Sequence, residues 1–277
     1  MSWALKLERS KDFLYVMGLL RFIAAGSERS DRVLKLTSQA IQLNILDYTA
    51  WEVRREVLLA LTDSNGVLGH SELEFVATCA NRDSKNYQLW HHRRFVVQHL
   101  LNDPSKELAW VDGILQDVDA KNYHAWSHRQ WVVLEWDLYD GELEWTTGML
   151  ERDLRNNSAW NHRYLVASRE SLEHYITFAE SEIKFALDMI DRVPSNESAW
   201  NYLLAIVRAT RSWVLARERV ERLAREPFNC RFAKVYLMWC WSMTDGDNSH
   251  LIQQAAASLS EQDTIRAEFW KTFRGPM

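Results

Sequence analysis

Proline and glycine are scarce in this chain, four and nine among 277 residues. A protein built from strands needs many turns of special backbone geometry, so the shortage argues against an all-β fold and suits long helices. Cysteine is scarcer still. Cys79, Cys230 and Cys240 make no C-x-x-C pair. An odd, low count in a chain this long fits a reducing compartment, the cytoplasm, rather than a disulfide framework. No apolar run approaches the roughly 18 residues that a membrane-spanning helix needs. Neither sign of charge dominates: 33 Lys and Arg face 38 Asp and Glu, a net of −5. The signs are mixed along the chain and no basic block stands out, so a nucleic acid is not the expected partner. The stretch "FLYVMGLLRFIAAG" (Phe13–Gly26) has the look of a signal-peptide core. Arg21 interrupts it, however, and Glu8 and Asp12 lie in or beside its leader. It reads as a first amphipathic helix.

What the chain has in excess is tryptophan, fourteen in all. Aligning them exposes a repeat. "DYTAWEVRREVL" centres on Trp51, "NYQLWHHRRFVV" on Trp90 and "NYHAWSHRQWVV" on Trp126. "NNSAWNHRYLVA" follows on Trp160 and "NESAWNYLLAIV" on Trp200. Each motif opens with Asn86, Asn122, Asn156 or Asn196, or with Asp47 in the first copy, a residue type whose side chain caps a helix N-terminus. Trp lies four positions on, with apolar residues continuing at helical spacing, as a helix packed along one face requires. Arg54, Arg93, Arg129 and Arg163 come one turn after Trp, on nearly the same face. Such an arginine packs its stem and gives its guanidinium to carbonyls or to a carboxylate of the next repeat. The fifth copy has Leu203 there.

Second helical stretches fall between the motifs, near Ser105, at Gly141 and over Tyr175–Val193. The expected fold is all-α, a right-handed, crescent-shaped superhelical solenoid of stacked antiparallel hairpins. One domain over residues 1–277 is expected, with about five repeats and divergent terminal helices. Glu28–Asn44 reads as the second helix of an earlier, degenerate hairpin, and Thr62–Glu72 as a loop between hairpins.

In order and nearly letter for letter, "NYQLWHHRR", "KNYHAWSHRQWV", "RNNSAWNHRY", "PSNESAWNYL" and the late "DTIRAEFW" resemble the α subunits of protein prenyltransferases. Within that family they are most similar to the α subunit shared by protein farnesyltransferase and protein geranylgeranyltransferase type I. The resemblance runs from about Ser10 to Trp270. It implies a heterodimer in which a β subunit holds the catalytic zinc and the lipid cavity. Together the two would transfer an isoprenoid from its diphosphate to the cysteine thiol of a C-terminal C-a-a-X protein. This chain would bind no cofactor itself; magnesium could accompany the diphosphate in the farnesyl form. By position, Lys85 and Tyr123 would touch the diphosphate, with Asn122 and His124 on the same edge. Tyr87 would sit beside the reacting centre. Gln88 would bond the substrate's terminal carboxylate, and Tyr48 would lie near the peptide exit. Glu52 and His162 depart from residues common in the family, at positions outside this set.

Other readings of the same residues are open at this point. The five motif tryptophans and four arginines read as packing, since they recur in copies that share no other chemistry. A lysine before a cap is ordinarily a solvated charge, although beside a helix N-terminus it also makes an anion site. Lys85 and Lys121 are both in that position, and the resemblance favours Lys85. His124 and His128 have the i, i+4 spacing of a zinc pair, but no third ligand accompanies them. No metal site is therefore expected on this chain, and His92 and His128 read as packing. A non-catalytic repeat scaffold and the α subunit of a Rab-type geranylgeranyltransferase are the rival functions. Lys-Asn-Tyr at the start of the second and third copies argues against a scaffold.

Overall fold

A computed structural model describes residues 9–61, 66–169, 175–225, 227–244 and 246–273, with the side chains of 175–177 excepted. Among these residues there are fifteen α-helices and no strand. They fall into two compact units, 1–138 and 139–277.

The first unit holds α1 (Lys11–Ala24), α2 (Asp31–Leu43), α3 (Tyr48–Leu61), α4 (Val67–Arg82), α5 (Tyr87–Phe95), α6 (Glu107–Gly113) and α7 (Tyr123–Trp136). Helices α5 and α6 each run on into wider π-type turns, over Val96–Leu101 and Ile114–Val118. The second unit holds α8 (Glu142–Arg152), α9 (Asn157–Ala167), α10 (Tyr175–Arg192), α11 (Glu197–Thr210), α12 (Arg217–Ala224), α13 (Arg231–Met243), α14 (Ser249–Gln262) and α15 (Ala267–Thr272). The apolar segment at Phe13–Gly26 is helix α1, as its pattern predicts.

Two expectations need correction. The loop expected over Thr62–Glu72 ends earlier, because α4 begins at Val67, capped by Gly66 at φ 68°; residues 62–65 lie outside the described set. The hairpins are also phased differently. The tight pairs are α2 with α3, α4 with α5, α6 with α7, α8 with α9 and α10 with α11. Each motif helix therefore closes its hairpin, and Glu28–Asn44 belongs to the Trp51 copy.

The connections within these pairs are alike. Residues 44–47, 83–86, 119–122, 153–156 and 193–196 are five four-residue turns, each ending on the Asp or Asn cap. In four of them the first residue, Asn44, Asp83, Asp119 or Asp153, accepts the backbone N–H two residues on, an Asx-turn. So short a loop forces antiparallel neighbours. The capping Asn then accepts first-turn N–H groups, as Asn122 does from His124 and Ala125 at 3.0 and 3.1 Å.

Each motif tryptophan is at most 4 % exposed. Its indole N–H donates to the carbonyl six residues back, the second residue of its own turn, at 2.8–2.9 Å in all five copies. The next cap uses the same acceptor. Asn86 Nδ2 donates to Ile45 O at 3.0 Å, Asn122 to Ser84 O at 3.2 Å and Asn196 to Leu154 O. The cap is thus also a stitch between successive repeats, a role that cap propensity does not foretell.

Arg54 and Arg93 fork onto buried carboxylates of the following hairpin, Glu72 and Glu107, through paired bonds of 2.6–2.7 Å. Arg163 does the same to Glu182, while Arg129 pairs with Asp112 of its own hairpin. Each of these glutamates, at the oxygen that accepts from the arginine Nε, and Glu142 as well, also meets the residue two after the next Trp. His92 Nε2 lies 2.7 Å from Glu72, His128 2.7 Å from Glu107 and His162 2.5 Å from Glu142; Tyr202 reaches Glu182. Burial alone would push the Glu72 carboxyl up, but bonds from His92 and Arg54 hold it down to about 2. An ionised carboxylate only accepts, so His92 Nε2 donates. Burial keeps the His92 and His128 imidazoles neutral, below their ordinary pKa.

The fifth step abandons the triad as a set. Leu203 stands for Arg, Ala216 lies where the carboxylate would be by the same 20-residue spacing, and Tyr236 takes the ring position. All three are buried, and Trp200 meets Tyr236 at 6.1 Å as Trp51 meets His92 at 4.9 Å. The absence of Arg in the fifth copy therefore comes with the absence of a carboxylate at the matching position.

Candidate functional site

Adjoining turns bring the candidate residues together at the N-terminal ends of α3, α5 and α7. Asn86 ties the turn before α5 to the turn before α3, and Asn122 ties the turn before α7 to the turn before α5. The third residue of each turn and the first of each helix project outward. Tyr48 is 70 %, Tyr87 63 % and Tyr123 77 % exposed. Lys85 is also exposed, and its Nζ lies 3.1 Å from Asp119 Oδ2, across from one turn to the next. Asp119 is held below the usual carboxylate range by the Lys121 backbone N–H and then by Lys85.

The aromatic rings form a continuous patch. His124 stands 6.2 Å from Tyr87, 5.5 Å from Tyr123 and 6.3 Å from Trp90, ring centre to ring centre. His91 stacks nearly parallel to Tyr87 at 6.4 Å. Behind the patch, the half-buried Arg94 donates to the Ser127 carbonyl at 2.9 Å and lies over Trp131. Burial lowers its pKa, and the hydroxyls of Tyr87 and Tyr123 are close enough to act on it in the opposite sense. The patch thus gathers phenols, imidazoles and cations beside helix N-termini, whose dipoles favour a multiply charged anion.

Not every expected residue is equally presented. Gln88 is only 6 % exposed. Asn122 is 1 % exposed and its amide is occupied on both sides, by the cap and by Ser84 O and Oγ. Its place on this edge is to hold the turn that carries Tyr123. His128 is fully buried against Glu107 while His124 faces outward, so the two do not share an ion. No group of three His, Cys, Asp or Glu among the described residues is placed to hold a metal.

The sequence reading passed over Asp119, Arg94 and the buried glutamates. Asp119 had a signal: D-x-x-N precedes α5, α7 and α9 as "DSKN", "DAKN" and "DLRN". The glutamates had a weak one, an acid 20 or 21 residues before each motif His.

Comparison with known proteins agrees with the hairpin repeat. Residues 70–100, 104–136, 139–170 and 179–210 match the protein prenyltransferase alpha subunit repeat, and each match takes in one hairpin as phased above. The chain is 38 % identical over 179 residues to a Dictyostelium discoideum protein named protein farnesyltransferase/geranylgeranyltransferase type-1 subunit alpha. That match covers 64 % of this chain and 55 % of the relative. It is 41 % identical over 206 residues to the Arabidopsis thaliana protein of the same name, with 74 % and 62 % covered. The chain thus spans about half to three fifths of the length of these relatives. Among solved structures, it superposes on a chain of Candida albicans protein geranylgeranyltransferase-I complexed with GGPP, with TM-score 0.83 and 28 % identity over 96 % of this chain and 90 % of that one. The hairpin-repeat fold is shared, and with four repeats in register the chain belongs to the protein prenyltransferase alpha subunit family.

Proposed function

We propose that the chain is the α subunit of a cytoplasmic protein farnesyltransferase/geranylgeranyltransferase type I, working as a heterodimer with a prenyltransferase β subunit. The reaction is transfer of an isoprenoid from its diphosphate to the cysteine thiol of a C-a-a-X protein. The observation that carries this reading is the joining of two Lys-Asn-Tyr turns through Asn122, which sets Lys85, Tyr87, Tyr123 and His124 on one edge. The names of the relatives support it.

In this reading Lys85 and Tyr123 contact the diphosphate, and His124 lines the same edge. Tyr87 lies beside the reacting carbon. Gln88 and Tyr48 serve the peptide, at its carboxylate and its exit. As the carbon–oxygen bond lengthens, negative charge gathers on the leaving diphosphate. A cation and a phenol held beside it stabilise the transition state more than the ground state. Zinc would supply the activated thiolate when bound. Among the described residues no donor set is placed for it, His128 being taken up by Glu107, and in this reading the metal belongs to the β subunit.

The test is co-expression with a prenyltransferase β subunit and single-turnover prenylation of a C-a-a-X peptide. Lys85→Ala should slow the chemical step by roughly a hundredfold, the scale of one lost preorganised contact, with heterodimer formation unchanged. A normal chemical step in that variant, or no complex with any β subunit, overturns the reading.

A further inference from the structure

Helix α1 is apolar on two sides. From Phe13 to Leu20 it carries no charge at all. The sequence predicts an amphipathic helix there, and one face behaves so: Val16, Met17 and Leu20 are buried, and α1 packs on α2 and α3. The opposite face is apolar as well. Leu14 is 59 %, Tyr15 69 %, Leu19 36 % and Phe22 80 % exposed. Leu14, Gly18 and Phe22 recur at helical spacing, so they form one line along the helix, with Tyr15 and Leu19 beside it. The middle of this line faces open space, since a Cβ built on Gly18 would meet nothing within 4 Å. A helix that is apolar all round is normally buried.

Cations border the strip. Lys11 lies three turns before Phe22 on nearly the same bearing, and Arg21 lies two turns after Leu14 on its side. Arg9 stands over the Phe13 ring at 4.9 Å, and Lys35 of α2 is exposed. Arg29 and Arg32 are taken up by Glu56 and Glu28, whereas Arg9, Lys11, Arg21 and Lys35 make no ion pair among the described residues. Asp12 and Asp31 lie in the first turns of α1 and α2, where the helix dipole offsets part of their charge. Residues 1–43 hold seven Lys and Arg against four Asp and Glu, a local excess of three positive charges in a chain whose net is −5. The exposed apolar strip thus lies in the basic part of an acidic protein.

We propose that α1 is a membrane-docking surface, laid flat on an anionic phospholipid bilayer. Leu14, Tyr15, Leu19 and Phe22 enter the head-group boundary, and Lys11, Arg21 and Lys35 reach the lipid phosphates. The contact lies on the bilayer and does not span it: no helix among the described residues is long and apolar enough to cross a membrane. Area and charge favour lipid over protein. The helix is about 21 Å long and about 10 Å wide, a strip well below the roughly 800 Å² that each partner of a stable protein pair buries. A two-fold pairing of copies would also set like charges together. At a lipid surface, a few inserted aromatic and aliphatic side chains with cations beside them are enough. The inference does not depend on the function proposed for the α3, α5 and α7 edge.

The test is flotation of the full chain, with and without a β subunit, on vesicles of phosphatidylcholine alone or with about 30 mol % phosphatidylserine. Phosphatidylserine should raise the partition coefficient about tenfold or more, since each nearby cation contributes a factor of several. Raising salt from about 0.1 to about 0.5 M should remove most of that gain. Phe22→Asp should lower partitioning onto the anionic vesicles about tenfold. The double change Lys11→Glu and Arg21→Glu should erase the preference for phosphatidylserine. Ile265→Asp, at a side chain 95 % exposed in the second unit, should change nothing. All the replaced side chains are exposed, and thermal melts check that the variants fold. Five results would each overturn the proposal: no binding to either vesicle, equal binding to both, an equal loss in Ile265→Asp, flotation abolished by the β subunit, or self-association in sedimentation velocity that Phe22→Asp removes.

Discussion

Trp51 and Asn86 donate to one and the same oxygen, the carbonyl of Ile45, at 2.8 and 3.0 Å. One comes from inside the repeat and the other from the next. The shared acceptor explains why Asn, and not merely any capping residue, opens the later copies. Asp caps equally well but has no N–H to give. Asp47 suffices in the first copy, where it caps Ala50 and no earlier motif carbonyl awaits a donor.

Asn122→Ala should therefore cost about 2 kcal/mol, combining a lost cap with a lost buried bond. Asn122→Asp keeps the cap but sets a carboxylate against the Ser84 carbonyl. It should cost about 1–2 kcal/mol at neutral pH and less once protonated. Asp47→Asn should stay within about 0.5 kcal/mol of the parent. Urea unfolding of the three variants checks this ordering, and an Asn122→Asp chain as stable as the parent would show that the stitch is idle.

Glu107 neutralises Arg93 and accepts from His128 in a site where all three are at most 2 % exposed. Glu107→Ala leaves a buried guanidinium without its partner and should cost about 3–5 kcal/mol. The chain itself shows the apolar alternative, at Leu203, Ala216 and Tyr236. The triple change Arg93→Leu, Glu107→Ala and His128→Tyr should recover most of that loss, because no charge is left to strand. Chemical denaturation of the single and triple variants decides between a structural ladder and independent residues.

Stability should fall with acid, and two kinds of group act in the same direction. His92 and His128 are depressed below the ordinary 6.5, so below that pH the unfolded chain takes up protons that the folded one refuses. Glu72, held down to about 2, contributes stability that is present above the unfolded value near 4.5 and is lost as pH falls toward 2. The urea midpoint should accordingly decline from pH 7 downward. Replacing His92 with Gln should flatten the part of the decline between pH 6.5 and 5. A midpoint constant over that range in the parent would contradict neutral buried imidazoles.

Asp119 balances Lys85 across the two turns. Asp119→Asn retains an acceptor for the Lys121 N–H but removes the opposing charge. Isoprenoid diphosphate should then bind about two- to fivefold more tightly, since a like charge near the anion is gone. Folding stability should change by less than about 0.5 kcal/mol, as for other exposed pairs. Equilibrium titration of the assembled enzyme measures the first effect and thermal melting the second. Weaker diphosphate binding would mean that Asp119 is needed to aim Lys85.

The repeat, its period and its all-helical nature were legible in the sequence because packing chemistry recurs: a cap, an indole and an arginine at fixed helical offsets. The residues of the candidate edge were legible only through resemblance, since a lysine before a cap has no meaning by itself. Three things were decided by tertiary structure. Helix pairing was settled by packing, since the link between hairpins at 102–106 is only one residue longer than the turns within them, and this moved the phase of every hairpin by one helix. The second bond of Asn86, Asn122 and Asn196, and the Lys85–Asp119 pair, depend on one turn lying beside the next at a separation of 34 to 42 residues, which no local pattern encodes. The lysine in the Trp slot of α13 looked in sequence like decay of a terminal repeat. Only the packing of α13 against α14 shows the Lys234 ammonium meeting Ser258 and Gln262, because partners 24 and 28 residues away are brought by the fold and not by a local pattern.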